Sequence, residues 1–474
     1  MVMGEETLET QVAVVGGGPG GYAAAFRAAD LGLDVTLINA EERLGGVCLL
    51  RGCIPSKALL HVTHLLHEAE EAEEWGIKFG EPDVDLEAVR GWKEGVVDRL
   101  VSGLHKLGQE REIMVIPARA TFEGANRLRL EGSDISHVQF EHAIVATGSR
   151  PRPLSDVPFE EGGRVMDSDA ALDLMTVPQT LLVVGGGYIG LEMGTVYAAL
   201  GSRVTLVEMT DGLLPGVDRD LIRPLARRAD DVFHAVHLNT KVASLEQDGE
   251  GVTVTLEGDA PDEEQQFDRA IVAIGRRPNS AELGLEEAGV EVGEDGFIVV
   301  DEQMRTNRKH IYAVGDVAGE PLLAHKAMHE GKVAAEVIAG EPAAFDARCV
   351  PAVVYTDPQV AWCGLMEQEA QEQGRSVRVA RFPWRASGRA LTQGAAEGLT
   401  KLLFEAETER LVGMGVVGEG AENLIAEGAL AIEMGAVAQD LALTIHPHPT
   451  LTETESEAAE AFLGQATHIL SRQS

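Results

Sequence analysis

The sequence has few cysteines, few lysines and no long apolar run, and these shortages limit the kinds of protein it can be. Four cysteines in 474 residues are too few for the disulfide framework of a secreted domain, so a reducing setting is expected. No apolar run reaches the length needed to span a bilayer. The acidic segment Met1–Thr10 contains no basic residue, so no signal peptide is predicted. We therefore expect a cytoplasmic protein without membrane association.

Most of the 39 basic residues are arginine, so lysine is scarce. Acidic residues number 77, which gives a net charge of −38. A charge of this sign argues against nucleic acid and against an anionic membrane surface as partners. An acidic, lysine-poor surface is typical of proteins from saline habitats, and it also serves solubility in general. Both origins stay open at this point.

Length and apolar content predict a large globular protein. A chain of 474 residues suggests about three domains. Hydrophobic residues make up 45% of it, enough for sizeable cores. The 53 glycines indicate many tight turns and close approaches of the backbone.

The stretch Leu44–Leu60 holds two of the four cysteines, Cys48 and Cys53, with four residues between them. Pro55 suits the first turn of a helix, so both thiols are expected near a helix N-terminus, where the helix dipole favours thiolate. A zinc site would need four ligands at short spacing, and no second cysteine pair follows. The spacing therefore favours a redox-active pair, with two buried structural cysteines as the alternative.

Two glycine fingerprints of the form Gly-x-Gly-x-x-Gly each follow a predicted strand and open a predicted helix. The first begins at Gly16 and the second at Gly185. In this context glycines allow a pyrophosphate to approach the helix N-terminus closely, so each fingerprint predicts one bound dinucleotide. The strand after the second fingerprint ends in Glu208, at the spacing of the acid that binds a ribose. The strand after the first ends in Asn39 instead.

Further along the chain, residues 61–110 are predicted to be helical, Ile311–Asp316 forms a strand ending in an acid, and a helix covers residues 321–339. From about residue 351, strands and helices alternate without a glycine fingerprint. Within this last part, two histidines between prolines at 446–449 cannot lie in a regular helix, so they belong to a shaped loop.

The segment Gly-Gly-Val-Cys-Leu-Leu-Arg-Gly-Cys-Ile-Pro-Ser-Lys at 45–57 and the segment His-Pro-His-Pro-Thr-Leu-Thr-Glu at 446–453 resemble the two active-site segments of the dihydrolipoamide dehydrogenases. These belong to the FAD-dependent pyridine-nucleotide disulfide oxidoreductases, and the resemblance covers residues 12–462. It implies an α/β fold with two Rossmann-like domains, for FAD and NAD, and a C-terminal α+β dimerisation domain. The implied divisions are 1–150 for the FAD domain, 151–278 for the NAD domain, 279–350 completing the FAD domain and 351–474 for the interface domain.

The resemblance also implies an enzyme that oxidises dihydrolipoyl groups on a carrier protein and reduces NAD⁺. Cys48 would be the thiol that exchanges with substrate, and Cys53 the thiol next to the flavin. His448 would be the general base oriented by Glu453, with His446 in a supporting position. The expected cofactor-binding residues are Gly16, Gly18, Gly21, Asn39, Gly46, Lys57, Thr147, Gly148, Gly185, Gly187, Gly190, Glu192, Glu208, Gly275, Asp316 and Ala324. No metal is expected.

Three further expectations accompany this assignment. Lys57 and Glu192 should form an ion pair near the flavin. Glu208 should select NAD, because a carboxylate accepts ribose hydroxyls and repels a 2′-phosphate. The cysteines and His448 lie in different domains, so the resemblance implies a homodimer with sites shared between two chains.

Several alternatives compete with this assignment. Glu208 and the Ile-Pro-Ser-Lys wording at 54–57 speak against a glutathione reductase. A mercuric reductase would carry additional C-terminal cysteines, which residues 469–474 do not contain, and a soluble transhydrogenase would not need the cysteine pair. A non-catalytic flavoprotein subunit is the alternative from another class. Cys349 and Cys363 are expected to be isolated buried residues.

The natural carrier could be a 2-oxo acid dehydrogenase subunit, a glycine-cleavage carrier or another lipoyl protein. Arg51 and Arg385 depart from the family's commoner residues at their positions. We hypothesise that they frame the lipoyl channel and select an acidic carrier, with solvated surface arginines as the alternative.

Overall fold

The computed structural model describes residues 7–154 and 157–470. Residues 1–6 of the acidic N-terminal segment and residues 471–474 of the C-terminal segment lie outside the described residues. Across the described ranges, no helix combines the length and apolarity that crossing a membrane requires.

The first unit is built on a seven-stranded sheet. Its strands β1 and β2 are parallel and flank the first glycine loop. The strand β1 also pairs in parallel with β6, and its residues Val12–Val15 are almost completely buried. The strand order is β3-β2-β1-β6-β5-β4, with a later strand added on β6. The elements are β1 Thr7–Val15, α1 Pro19–Asp30, β2 Val35–Asn39, α2 Gly46–Arg51, α3 Cys53–Glu71, α4 Leu86–Glu110, β3 Met114–Pro117, β4 Arg119–Phe122, β5 Arg127–Glu131 and β6 His137–Val145.

The helix predicted over residues 61–110 is wrong in its middle. The chain leaves α3 after Glu71, turns through Gly76, which has a φ of +85°, and runs without regular structure up to residue 85. Pro82 lies in this break, where it cannot continue a helix. Asp85 then starts α4 by accepting hydrogen bonds from the backbone N–H groups of Glu87 and Ala88, as an N-cap residue does.

The second unit repeats the first with a five-stranded parallel sheet in the order β11-β10-β9-β15-β8. An antiparallel sheet of β12, β13 and β14 accompanies it, and β7 pairs with β16 as a two-stranded ribbon. The elements are β7 Ser149–Pro151, β8 Val165–Met166, α5 Ser168–Leu172, β9 Thr180–Val184, α6 Tyr188–Ala199, β10 Arg203–Val207, α7 Arg219–Val232, β11 Ala235–His237, β12 Thr240–Gln247, β13 Val252–Gly258, β14 Glu264–Phe267, β15 Arg269–Val272 and β16 Arg276–Pro278.

After the ribbon the chain returns to the first sheet. The helix α8 is Leu285–Ala288, the strand β17 is Ile311–Ala313 and the helix α9 is Ala324–Ile338. The strand β17 pairs in parallel with β6 and completes the seven strands. The helix α9 lies against α1 so closely that a Cβ on Gly331 would sit 2.3 Å from the carbonyl oxygen of Gly20.

The last unit is a five-stranded antiparallel sheet in the order β18-β19-β22-β21-β20 with helices beside it. Its core contains Phe382, Trp384 and Phe404, all nearly inaccessible to solvent. The elements are β18 Ala352–Val354, β19 Val360–Gly364, α10 Glu367–Glu372, β20 Val377–Pro383, α11 Gly388–Thr392, β21 Leu399–Glu405, β22 Leu411–Val417, α12 Ala421–Met434, α13 Ala438–Leu443 and α14 Glu453–Phe462.

A buried ionic cluster joins the last unit to the second. The ammonium of Lys401, whose side chain is 1% exposed, lies 2.7 Å from Asp218, 2.9 Å from Asp220 and 2.8 Å from Glu367. Because the two aspartates precede or begin α7, the cluster fixes the edge of the second unit on the last sheet. The predicted fold class, two Rossmann-like units followed by an α+β unit, is confirmed.

Candidate active site

The two cysteines of the first unit stand side by side at the junction of two helices. Cys48 lies in the short helix α2, and Cys53 is the first residue of α3, with the kink at Gly52 between them. Interaction with the thiol of Cys53, together with burial, raises the pKa of Cys48. The same interaction lowers the pKa of Cys53 to about 7 against the opposing effect of burial, and the ammonium of Lys57 lowers it further. In the dithiol form, Cys53 therefore carries the thiolate.

Lys57 and Glu192 form the expected ion pair. The ammonium of Lys57 lies 3.0 Å from Oε1 and 2.8 Å from Oε2 of Glu192, whose side chain is 4% exposed. The backbone N–H of Tyr355 donates to Oε1 at 3.0 Å, and the tyrosine ring centroid lies 4.5 Å from the ammonium. The pair thus joins α3 of the first unit to α6 of the second and to the last unit, one turn beyond Cys53.

The first glycine loop is shaped by contacts within the chain at two of its glycines and is open at the third. A Cβ on Gly16 would meet the carbonyl oxygen of Ala146 at 2.3 Å, and one on Gly21 would meet the carbonyl oxygen of Gly16 at 1.8 Å. A Cβ on Gly18 would only approach the Cα of Gly46, at 3.8 Å. The space beside Gly18 therefore fits a group that needs close backbone approach.

The second glycine loop has the same construction. A Cβ on Gly185 would lie 2.5 Å from the carbonyl oxygen of Ala273, and one on Gly190 would lie 2.0 Å from that of Gly185. Nothing lies within 4 Å of a Cβ on Gly187. Packing within the chain therefore requires the first and last glycines of each fingerprint but does not require Gly18 or Gly187. A glycine at these two positions fits a pyrophosphate over each helix N-terminus.

A cleft of about 760 Å³ runs between the first and second units beside the cysteine pair. It fits an extended dinucleotide better than a small substrate alone, because it reaches from the end of β2 to the cysteines. Of the predicted site residues it is lined by Gly16, Gly18, Asn39, Gly46, Cys48, Cys53, Lys57, Thr147, Gly148, Glu192, Asp316 and Ala324. The others, Gly21, Gly185, Gly187, Gly190, Glu208, Gly275, His448 and Glu453, are not among its lining residues.

A row of hydrogen-bonded side chains at the wall of this cleft was not predicted from the sequence. The hydroxyl of Ser149 donates to Asp316 at 2.6 Å and accepts from Nε of Arg276 at 2.7 Å. The signal was present, because Gly148–Pro151 and Gly275–Pro278 are similar segments that pair as β7 and β16. The ribbon carries Arg276 to Ser149 and so holds Asp316 in place.

The predicted base lies in the last unit. Nδ1 of His448 is 2.8 Å from Oε1 of Glu453, whose Oε2 accepts the backbone N–H of Thr450 at 2.8 Å. These hydrogen bonds lower the pKa of Glu453 although burial opposes the shift. The side chain of His448 is 75% exposed, so its Nε2 points outward from this chain. His446 is buried instead and bonds Glu427 at 2.9 Å, as a supporting residue would.

One expectation needs correction. Arg51 does not offer a free charge at the surface, because it donates to both carboxylate oxygens of Glu41 at 2.6 and 2.9 Å and its Nε lies 2.9 Å from Asp169. Two carboxylates already balance it, which removes Arg51 from the hypothetical basic rim. Cys363 is buried in the core of the last unit, and Cys349 packs against that core with its Sγ 3.9 Å from the carbonyl oxygen of Ala429.

Comparison with known proteins places this geometry in a family. Residues 10–331 match the family described as pyridine nucleotide-disulphide oxidoreductase, and residues 350–459 match its dimerisation domain. The chain belongs to the pyridine nucleotide-disulphide oxidoreductase family. It is 49% identical to a dihydrolipoyl dehydrogenase of Vibrio cholerae, with 98% of this chain and 97% of the relative covered. A dihydrolipoyl dehydrogenase of Halobacterium salinarum is 46% identical, with both chains fully covered.

The solved structures agree with this family assignment. A crystal structure of LpdA from Mycobacterium tuberculosis matches with a TM-score of 0.88 at 28% identity, over 96% of this chain and 99% of that one. Recognition of the dihydrolipoamide dehydrogenase type is confirmed, and this type is favoured over the alternatives. The protein is an enzyme of the pyridine nucleotide-disulphide oxidoreductase family, and its predicted cofactors, FAD and NAD, are confirmed. The openings beside Gly18 and Gly187 fit these two dinucleotides.

Proposed function

We propose that this enzyme oxidises dihydrolipoyl groups carried on a protein, through a disulfide between Cys48 and Cys53, and passes the electron pair to NAD⁺. The observation that carries the proposal is the placement of both cysteines at the cleft, Cys48 on α2 and Cys53 at the start of α3, with Lys57 one turn beyond Cys53. Bound FAD would supply the two-electron acceptor between the dithiol and the nicotinamide. Residues along the cleft from Gly18 and Asn39 to Asp316 would hold it.

The residues of this chain divide the thiol chemistry between them. Nδ1 of His448 faces Glu453, so Nε2 is the nitrogen that takes the proton of a substrate thiol. The resulting substrate thiolate attacks Sγ of Cys48, the disulfide breaks, and Cys53 leaves as the thiolate that Lys57 stabilises. The second substrate thiol then attacks the mixed disulfide, so that the substrate becomes a disulfide and Cys48 is released as a thiol.

The exposure of His448 supports a homodimer. His448 is not among the residues lining the cleft of its own chain, so it would act on the disulfide of a second copy. The last unit also exposes large apolar side chains: Leu430, Met434, Leu443 and Ile445 are 63%, 76%, 70% and 95% exposed. Large apolar side chains at such exposure favour burial against another chain. The match of residues 350–459 to a dimerisation domain supports the same arrangement.

We further propose the divisions 1–150 for FAD, 151–278 for NAD, 279–350 as the return to the FAD unit and 351–474 for the interface, with the protein acting in the cytoplasm on a lipoylated carrier. Glu208 supports NAD rather than NADP as the nucleotide, because a buried carboxylate at the end of β10 would repel a 2′-phosphate. Arg385 is exposed and stays a proposed contact for an acidic carrier.

The test measures NADH-dependent reduction of lipoamide by the purified holoenzyme. His448→Gln should lose about 10²–10⁴-fold in turnover, as expected for a general base. His468→Gln is the matched control, because His468 is 59% exposed and also pairs with a carboxylate of α14, Glu457. This control should stay close to the wild type. Equal losses in both variants would contradict the role of His448, and faster turnover with NADPH and glutathione disulfide would contradict the substrate assignment.

A further inference from the structure

Arg51, which stands between the two active-site cysteines, contacts both walls of the dinucleotide cleft. Its Nη1 and Nη2 donate to the two carboxylate oxygens of Glu41 at 2.9 and 2.6 Å. Its Nε lies 2.9 Å from Oδ2 of Asp169. All three residues line the cleft. Because Glu41 belongs to the first unit and Asp169 to the second, the side chain of Arg51 forms a bridge between the two units at the cleft.

Each member of the bridge is placed by a different element. Arg51 is the last residue of α2, the helix that contains Cys48. Glu41 follows the end of β2 by two residues, and its backbone carbonyl accepts a hydrogen bond from the amide of Asn39 at 2.7 Å. Asp169 lies in α5 of the second unit. The bridge therefore connects the redox helix and the end of β2 with the second unit.

The geometry of the bridge is specific to arginine. All three nitrogens of Arg51 face a carboxylate oxygen, and two of them form a bidentate pair with Glu41. The remaining oxygen of Asp169, Oδ1, accepts the hydroxyl of Ser168 at 3.2 Å, so both oxygens of this carboxylate are held. A lysine ammonium is a compact charge and could not reproduce the planar fork of the guanidinium.

The charges of the bridge balance one another inside the cleft. The side chains of Arg51, Glu41 and Asp169 are 34%, 41% and 26% exposed, so water screens them only in part. Burial and the neighbouring Asp167 raise the pKa of Asp169, and the positive charge of Arg51 opposes this shift. Without Arg51, two carboxylates would stand uncompensated in the same cleft as the negatively charged pyrophosphate of a dinucleotide.

A second ion pair, Lys57 with Glu192, also joins the first unit to the second at this cleft. The two connections differ in their relation to the thiols. The ammonium of Lys57 lowers the pKa of Cys53 and so belongs to the thiol chemistry. The bridge of Arg51 is bound on both sides by carboxylates, and its contacts hold the walls of the cleft.

We propose that Arg51 is a positioning residue that retains FAD, because its simultaneous contacts with Glu41 and Asp169 keep the two walls of the cleft together. An extended dinucleotide that is enclosed between two units leaves only when these walls separate. Each contact across the cleft adds to the free energy that this separation requires. The bridge therefore slows the release of the cofactor and takes no part in the thiol exchange.

The experiment measures the release of FAD from purified holoenzyme, without NADH and without a thiol substrate. Dilute protein is held at a temperature below its unfolding transition, and samples are desalted at intervals. The FAD that stays bound is read from the ratio of flavin to protein absorbance, and circular dichroism at the same temperature checks the fold. Arg51→Gln should release FAD about five- to tenfold faster than the wild type, as expected for the loss of two partly exposed ion pairs.

Arg43→Gln is the matched control, because Arg43 lies in the same loop and pairs with Asp98 at 2.7 Å within the first unit. Neither Arg43 nor Asp98 is among the residues that line the cleft. This variant should release FAD within about twofold of the wild-type rate. Equal acceleration in the Arg43 and Arg51 variants would show a general effect of lost positive charge and would overturn the proposal.

Asp169→Asn tests whether the contact across the cleft is the one that matters. It should release FAD at least about threefold faster than the wild type, and the double variant with Arg51→Gln should be no faster than Arg51→Gln alone. A wild-type rate in either single variant, or effects that multiply in the double variant, would overturn the proposal. Since no substrate is present, these outcomes are independent of the thiol chemistry proposed for Cys48 and Cys53.

Discussion

Replacing Lys57 with methionine should raise the pKa of Cys53 and slow its alkylation. In the wild type this pKa is about 7, lowered first by interaction with the thiol of Cys48, opposed by burial, and lowered again by the ammonium of Lys57. Glu192 acts in the opposite direction, because its negative charge raises the pKa of Cys53. Lys57→Met removes the favourable charge and leaves the unfavourable one in place.

The size of the effect depends on these two charges. A single opposite charge close to an ionisable group typically shifts its pKa by about 1–3 units, and we take about 1–2 units for this partly open cleft. A thiol with a pKa of about 7 is about half ionised at pH 7, and the shift reduces that fraction to between about one tenth and one hundredth. Alkylation of Cys53 at pH 7 should therefore slow by roughly 5- to 50-fold.

The assay is a short pulse of iodoacetamide on reduced enzyme across a pH series, with Cys53 quantified by mass spectrometry. Cys48 is read separately, because Arg51 places the two cysteines on different tryptic peptides. Glu192→Gln is the matched variant: it keeps the ammonium, removes the carboxylate and should move the profile to lower pH. A Lys57→Met profile that coincides with the wild-type profile would refute the electrostatic role of Lys57.

Two further predictions concern stability. Burial raises the pKa of Glu455 to about 9 in the folded protein, against about 4.3 in the unfolded chain. The contribution of this group to the free energy of unfolding is therefore highest at pH values below about 4.3, and it falls as the pH rises from there toward 9. Glu455→Met should therefore stabilise the protein by up to about 3 kcal/mol at pH 7 and by much less at pH 5; equal gains in urea midpoint at both pH values would contradict the burial argument. Lys401→Met leaves three carboxylates without their buried cation and should cost about 3–5 kcal/mol. The control Lys241→Met removes an exposed pair with Glu257 and should cost under about 1 kcal/mol; similar losses in the two variants would show that the cluster contributes little.

The parts of the site that were predictable share a local cause. Each glycine loop contains a close contact between residues five positions apart, Gly21 against Gly16 and Gly190 against Gly185, and such contacts leave a pattern in the sequence. The cysteine pair is local in the same way, with Cys48 and Cys53 on consecutive short elements. The His448–Glu453 pair also closes within one loop and the start of one helix.

The missed features depend on pairing between distant segments. The bond between Ser149 and Asp316 requires residues 167 positions apart to meet at one cleft wall. The ion pairing of Arg51 was missed for the same reason, because Asp169, which helps to balance its charge, belongs to the second unit. Composition and spacing identify such residues as charged or reactive but do not show their contacts.

The structure also explains why different residues end the strands that follow the two glycine loops, Asn39 after the first loop and Glu208 after the second. Asn39 and Glu208 make one hydrogen bond in common. The side chain of Asn39 accepts from the backbone N–H of Gly17 at 2.9 Å, and that of Glu208 accepts from the backbone N–H of Gly186 at 2.7 Å. They differ in the groups that the turn after each strand presents to the side chain.

After β2, the chain turns so that two carbonyl groups, those of Glu41 and Arg43, face the strand end, and the amide of Asn39 donates to both at 2.7 and 3.1 Å. After β10, Thr210 presents donors instead, its N–H at 2.8 Å and its hydroxyl at 2.9 Å from Oε1 of Glu208. A carboxylate accepts hydrogen bonds but donates none, so it suits the second loop, whereas the first loop needs a side chain that does both. The two carbonyl groups that follow β2 therefore account for an asparagine rather than an acid at position 39.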